Sequence, residues 1–210
     1  MPTWVRAYRL AFALLIVAAI VYQLSTGLAR GNFDVGNFFS FFTIESNIFA
    51  ALVLLVTALI GSTPSPRRDL VRGAAVAYMA TTGVVYGLLL SGYTDALQTP
   101  VPWVNNVLHR LIPLVMVTDW LLAPPGRGLT YRRALVWLIF PLAYLAYSLV
   151  RGPIVGWYPY PFLDPDKVGG YPGVALYAVG IALGFFLFVW LIVALGQRVR
   201  LRVEDAPARA

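Results

Sequence analysis

A chain of 210 residues that is 60% hydrophobic and only 12% charged lies far from soluble domains, where charged residues approach a quarter. Its mean hydropathy of +0.74 and long apolar blocks exclude a disordered chain, a coiled coil and a water-soluble enzyme of ordinary make-up, and leave an integral membrane protein. The net charge of +7 does not imply a nucleic-acid partner, because the Arg residues gather at the ends of the apolar blocks; with no Cys and a single His, disulfides, iron–sulfur clusters, thiol nucleophiles and multi-His metal sites are excluded, and no cofactor is expected.

The expected fold is all-α, a single polytopic domain of six transmembrane helices. A helix needs about 20 mostly apolar residues to cross the hydrocarbon core, and six segments reach that length, at approximately 8–26, 38–60, 71–91, 103–123, 132–150 and 174–196. The first follows Arg6 and Arg9 and, lacking a clear small-residue cleavage site, reads as a retained helix and not a signal peptide. Residues 197–210 form a short polar tail. An even number of spans puts both termini on one side, and that side carries Arg6, Arg9, Arg67, Arg68, Arg72, Arg127, Arg132, Arg133, Arg198, Arg200, Arg202 and Arg209. The opposite loops carry only Arg30, Arg151 and Lys167. The positive-inside rule therefore predicts cytoplasmic termini in a multi-pass protein of the cell membrane.

Polar residues inside spans are costly and mark function or packing. The second span carries Thr43, Glu45, Ser46 and Asn47 near its start; the fourth carries Asn105, Asn106, His109 and Arg110, then Asp119 near its end. Both spans run inward, so Thr43 and His109 each sit roughly 7–10 Å below the start of their helices, at a shared depth in the outer half of the membrane. At 100° per residue, Ser46, Asn47 and Ala50 share the face of Thr43 while Glu45 points elsewhere, and Asn105, Asn106, Pro113, Met116 and Trp120 share the face of His109. Asp119 lies about 15 Å further along the axis than His109, too far to orient it, and suits pairing with Arg near the basic end or bonding backbone near Trp120.

A Thr in a membrane helix commonly bonds the carbonyl one turn back, and an intramembrane His can serve as a cross-helix hydrogen-bonding group. His109 is also the one general base of suitable intrinsic pKa in the chain. A hydroxyl beside an imidazole in a water-poor pocket is the minimum for nucleophilic acyl transfer, with Asn47, Asn106 and Arg110 as candidate donors to an oxyanion or a substrate carboxylate. Arg110 has a second reading, as the partner of Glu45. The last outer loop, from Arg151 to Pro172, is rich in aromatics and prolines. It is either a rigid, partly buried cap or an interfacial aromatic belt.

Phe41-Phe-Thr-Ile-Glu-Ser-Asn-Ile48, Thr82-Gly-Val-Val-Tyr86, Trp103-Val-Asn-Asn-Val-Leu-His109, Pro113, Asp119-Trp-Leu-Leu122 and Gly156-Trp-Tyr-Pro-Tyr-Pro-Phe-Leu-Asp164 together span nearly the whole chain. They resemble the prokaryotic six-transmembrane proteins related to the androgen-induced membrane proteins of animals. That resemblance implies a threonine hydrolase of fatty acid esters of hydroxy fatty acids, with Thr43 as nucleophile and His109 as base. Glu45, Ser46, Tyr86, Asp119, Tyr158 and Asp164 are candidate supporting positions. The partner is then a membrane lipid or fatty acyl ester.

Two other readings compete with hydrolysis. A transporter or channel would use His109, Arg110 and Glu45 as a proton- or anion-linked site, although the first three spans do not visibly repeat in the last three. A non-catalytic membrane partner protein would have no polar pocket at all.

Overall fold

The computed structural model describes residues 2–31, 33–61, 65–93, 101–126 and 128–205, with side chains as far as 201. Arg127 and Arg209 of the basic side, and the side chain of Arg202, lie outside the described residues. Every regular element among the described residues is helical: α1 (Thr3–Ala29), α2 (Val35–Phe39), α3 (Phe42–Ile60), α4 (Pro66–Val85), α5 (Pro102–Asn106), α6 (Ile112–Leu122), α7 (Tyr131–Ala134), α8 (Ile139–Val155), α9 (Pro165–Val168) and α10 (Tyr171–Asp205).

Among the described residues, five helices are long and apolar enough to cross a membrane: Thr3–Ala29, Phe42–Ile60, Pro66–Leu90, Tyr131–Val155 and Tyr171–Leu201. The expected fourth span is not one of them. Residues Pro102–Leu122 do form one helical rod, α5 and α6 joined by a π turn over Val107–Leu111. The rod carries Asn105, Asn106, His109, Arg110 and Asp119 and so is less apolar than the others. It touches α1, α3, α4 and α10, and a helix face packed against protein can keep polar groups that a lipid-facing one cannot.

The π turn has a local cause. Pro113 has no N–H to give to the carbonyl of His109 one turn earlier, and the N–H of Ile112 bonds Val107 O in a widened turn. A second π turn, over Tyr86–Leu90, ends α4. The two meet: the rings of Tyr86 and His109 stack 4.3 Å apart, and α4 comes close at Gly83, where an added Cβ would sit 3.0 Å from Pro113 Cβ. Single π turns of this kind recur at functional sites.

The second expected span also departs from its predicted course. It is broken at Ser40 and Phe41, so α2 stands alone and α3 starts at Phe42. Asp34 caps α2 through the N–H of Asn37 at 2.7 Å, and Tyr144 Oη donates to Ser40 O at 2.9 Å, pinning the break. Thr43 thereby falls in the first turn of α3, not a turn and a half below its start.

The core between α3, α4, α8 and α10 is aromatic: Phe42 stacks on Phe140 at 5.2 Å and meets Tyr144 edge-on, while Tyr78 lies between Phe140 and Phe185. Towards the Arg-rich end, a buried ion cluster ties α1, α4 and α6 together. Asp119 takes Arg9 Nε at 2.5 Å and Arg72 Nη2 at 3.0 Å; Arg72 Nη1 lies 3.8 Å from Asp69 Oδ1, and Asp69 accepts the N–H of Gly126 at 2.8 Å. Asp119 thus has the Arg partners expected for it. Trp120 Nε1, next in sequence, donates to Ile192 O at 2.9 Å.

The segment between α8 and α10 folds down onto the bundle. Gly156 ends α8 at φ +66, a conformation that suits glycine, and the turn over Pro161–Leu163 buries Tyr160, Phe162 and Leu163. Gly173, in the first turn of α10, lies so close to the carbonyl of Val168 that an added Cβ would collide with backbone. Gly173→Ala must therefore push α9 and the buried turn off α10. The expected cost is about 1–3 kcal/mol, seen as a thermal midpoint in detergent lowered by several degrees.

Candidate active site

Buried Thr residues in this bundle fall into two groups. Thr57 Oγ1 donates to Val53 O at 2.7 Å and Thr81 Oγ1 to Ala77 O at 2.9 Å, the common bond to the carbonyl one turn back. Thr43 and Thr82 do otherwise. Thr43 begins a helix, so no helical turn precedes it to supply a carbonyl; its Oγ1 lies 3.3 Å from Tyr160 Oη. Thr82 Oγ1 is buried and has no hydrogen-bond partner. Both line a cavity of about 120 Å³ between α3, α4, α8, α10 and the turn at Pro161–Leu163. Its wall is otherwise mostly apolar, with Phe42, Val85, Phe162 and Phe185 among the lining side chains, and it reaches outward to Leu142, which is 56% exposed.

Thr43 is 6% exposed and Ser46, Asn47 and Ala50 are fully buried, whereas Glu45 is half-buried on another side of α3. The helical angles read from the sequence therefore match the buried face. Asn47 joins two helices: its Nδ2 donates to Thr43 O at 2.8 Å and to Leu108 O at 3.2 Å. Two carbonyl partners identify that atom as the amide nitrogen. Asn47 Oδ1, Ser46 Oγ and Asn105 Oδ1 are buried with no hydrogen-bond partner, an unusual concentration for atoms that folded proteins nearly always satisfy.

His109 sits in the π turn, 3% exposed, stacked on Tyr86. Its Nδ1 lies 3.2 Å from Asn105 O. A carbonyl can only accept, so Nδ1 carries the proton and Nε2 is the basic nitrogen. Asn105 in turn donates from Nδ2 to Tyr86 Oη at 2.5 Å. Asn105, Tyr86 and His109 thus form one buried unit. Thr43 and His109 are on neighbouring helices linked by Asn47, but they make no hydrogen bond to each other, and His109 is not on the cavity wall.

Several expected donors are elsewhere. Asn106 is exposed and accepts Arg110 Nη1 at 2.8 Å through its Oδ1, so it does not share the buried face of His109. The wider π turn is the reason: angles counted at 100° per residue do not hold across it, and Asn105 takes the place over the imidazole. Arg110 is exposed and lies 5.6 Å from the Tyr86 ring centroid; it makes no ion pair with Glu45. Tyr158 packs its ring on Gly152. Asp164 caps α9 through the N–H of Asp166 at 3.2 Å and pairs with Lys167 at 3.2 Å. Asp119 belongs to the ion cluster and not to this site.

Tyr160 is the residue that sequence reasoning missed. The loop around it reads as a cap, but nothing in its pattern distinguishes Tyr160 from Tyr158. The structure does: Tyr160 is 5% exposed, stacked on Phe162 at 5.1 Å and edge-on to Phe41 at 5.7 Å. Burial pushes its phenol up to about 12, so it stays protonated through any ordinary working pH. Compared with protein families, with curated proteins and with solved structures, the chain matches none of them.

Proposed function

We propose that this chain is an intramembrane hydrolase of acyl-lipid esters, with Thr43 as nucleophile and His109 as general base. The observation that carries the reading is the buried hydroxyl of Thr43, released from the usual backbone bond and set in the wall of an apolar cavity that extends to the outer face of the bundle. An acyl chain is the ligand that such a wall desolvates best. The motif resemblance to androgen-induced membrane proteins supports the same pair of residues.

The chemistry asks little more of the chain. Thr43 Oγ1 attacks the ester carbonyl carbon and its proton passes to His109 Nε2, directly or through one water, since such contacts tighten only with substrate bound. The alcohol leaves with that proton, and water then cleaves the acyl-Thr43 ester. The same proposal takes the rod Pro102–Leu122, packed on one side against α1, α3, α4 and α10, as a sixth crossing, and puts both termini on the cytoplasmic side of the cell membrane on the strength of the Arg distribution. The substrate then enters sideways from the lipid.

Covalent labelling tests the assignment. A long-chain fluorophosphonate is expected to label the wild-type protein on Thr43, located by peptide mass spectrometry, and to leave Thr43→Ala unlabelled. Labelling that persists in Thr43→Ala removes the nucleophile from the proposal.

A further inference from the structure

We propose that Tyr160 supplies the hydrogen bond that stabilises the oxyanion formed on the substrate carbonyl. This rests on the reading of Thr43 as nucleophile and goes beyond it by naming a third catalytic residue.

Phe41 stands at the cap position of α3 and has no side chain able to cap it, yet a helix start leaves unpaired N–H groups that must find partners. Thr43 N–H finds Tyr160 Oη at 3.2 Å. The same oxygen lies 3.3 Å from Thr43 Oγ1. The phenol therefore accepts from the backbone of the nucleophilic residue and still has its own proton to give. Tyr160 lines the cavity beside Thr43, and its ring is clamped by Phe162 and Phe41, so the hydroxyl is held in place before any substrate arrives.

A donor fixed within bonding reach of the nucleophilic oxygen is also within reach of the oxygen that becomes charged there. When Thr43 Oγ1 bonds to the acyl carbon, the carbonyl π pair moves to the carbonyl oxygen, and the proton from Thr43 goes to His109 Nε2. The phenol O–H then donates to that oxyanion without transferring its proton. Collapse of the intermediate returns the pair to the carbonyl, breaks the bond to the alcohol oxygen and releases Tyr160 to its resting contact. The partial positive charge at the start of the 19-residue α3 acts in the same direction. Preorganised donors of this kind act on the transition state and leave ground-state binding almost untouched.

Tyr160→Phe keeps both ring contacts and removes only the hydroxyl. Assayed in detergent micelles against a p-nitrophenyl long-chain acyl ester, it is expected to lose roughly 10²–10³-fold in kcat with KM within about threefold of wild type. A cap that merely held α3 together would lower the thermal midpoint and leave kcat alone. A fluorinated tyrosine at 160 keeps size and packing and is expected to fold even where Phe does not; its more acidic phenol should move the alkaline limit of kcat to lower pH, since an ionised phenol cannot donate. A kcat within threefold of wild type in Tyr160→Phe, or an unmoved alkaline limit in the fluorinated protein, overturns the role of Tyr160. If Thr43→Ala is inactive in the same assay, the nucleophile stands while Tyr160 falls; if Thr43→Ala retains activity, both fall.

Discussion

Thr43→Ala is expected to lower kcat for long-chain acyl esters by roughly 10⁴–10⁶-fold, and His109→Ala by a similar factor. The double variant is expected to be little worse than either, because a nucleophile and its base act as one unit and their losses do not add. For Thr43→Ala, folding is not the expected cause of the loss. The Thr43 side chain makes one hydrogen bond, to Tyr160, and the backbone bond from its N–H to the same phenol survives the substitution. The stability cost is thus about 1 kcal/mol, too small to unfold the bundle. Steady-state kinetics of the purified proteins, with thermal unfolding as control, check the prediction. Losses that multiply in the double variant would show that the two residues act separately.

Asp119→Ala carries the largest expected effect on stability. It removes the carboxylate shared by Arg9 and Arg72, both less than 5% exposed, and so takes from two buried cations the anion that sits between them. Breaking a buried pair from one side costs about 3–5 kcal/mol, enough to abolish the folded protein in detergent. Replacing Arg9 by Met and Asp119 by Leu together restores the charge balance, with Arg72 left to Asp69. That double variant is expected to recover much of the loss, since apolar residues of similar volume replace buried ion pairs at small cost. Thermal unfolding and size-exclusion profiles of the two variants decide it. A stable Asp119→Ala would mean that water reaches this cluster freely.

The two results would separate the two polar centres of the molecule. One, around Asp119, is charge-balanced: each charge has an opposite neighbour, Arg72 Nε alone being buried there with no hydrogen-bond partner, and the cluster fastens α1, α4 and α6. The other, around Thr43 and His109, is open in the chemical sense. Ser46, Asn47, Thr82 and Asn105 each carry a buried polar atom without a hydrogen-bond partner. Such atoms cost stability, a cost consistent with the proposed site for a polar reacting group.

Much of this could be read from the chain alone. The apolar blocks locate five long helices and the course of a sixth rod, because hydrophobic length is a one-dimensional property. The buried face of α3 follows from its 100° period, and Asp119 shows its need for Arg because an isolated carboxylate cannot be buried. Tertiary structure alone decided the rest. The break at Ser40 and Phe41 depends on Tyr144, more than a hundred residues away; the exposure of Asn106 depends on a widened turn that a fixed period cannot express; and the place of Tyr160 beside Thr43 depends on how a loop folds over a cavity. Periodicity and hydropathy report what each residue does relative to its own helix. Which side chains meet across helices is set by packing, and packing has no local signature in the chain.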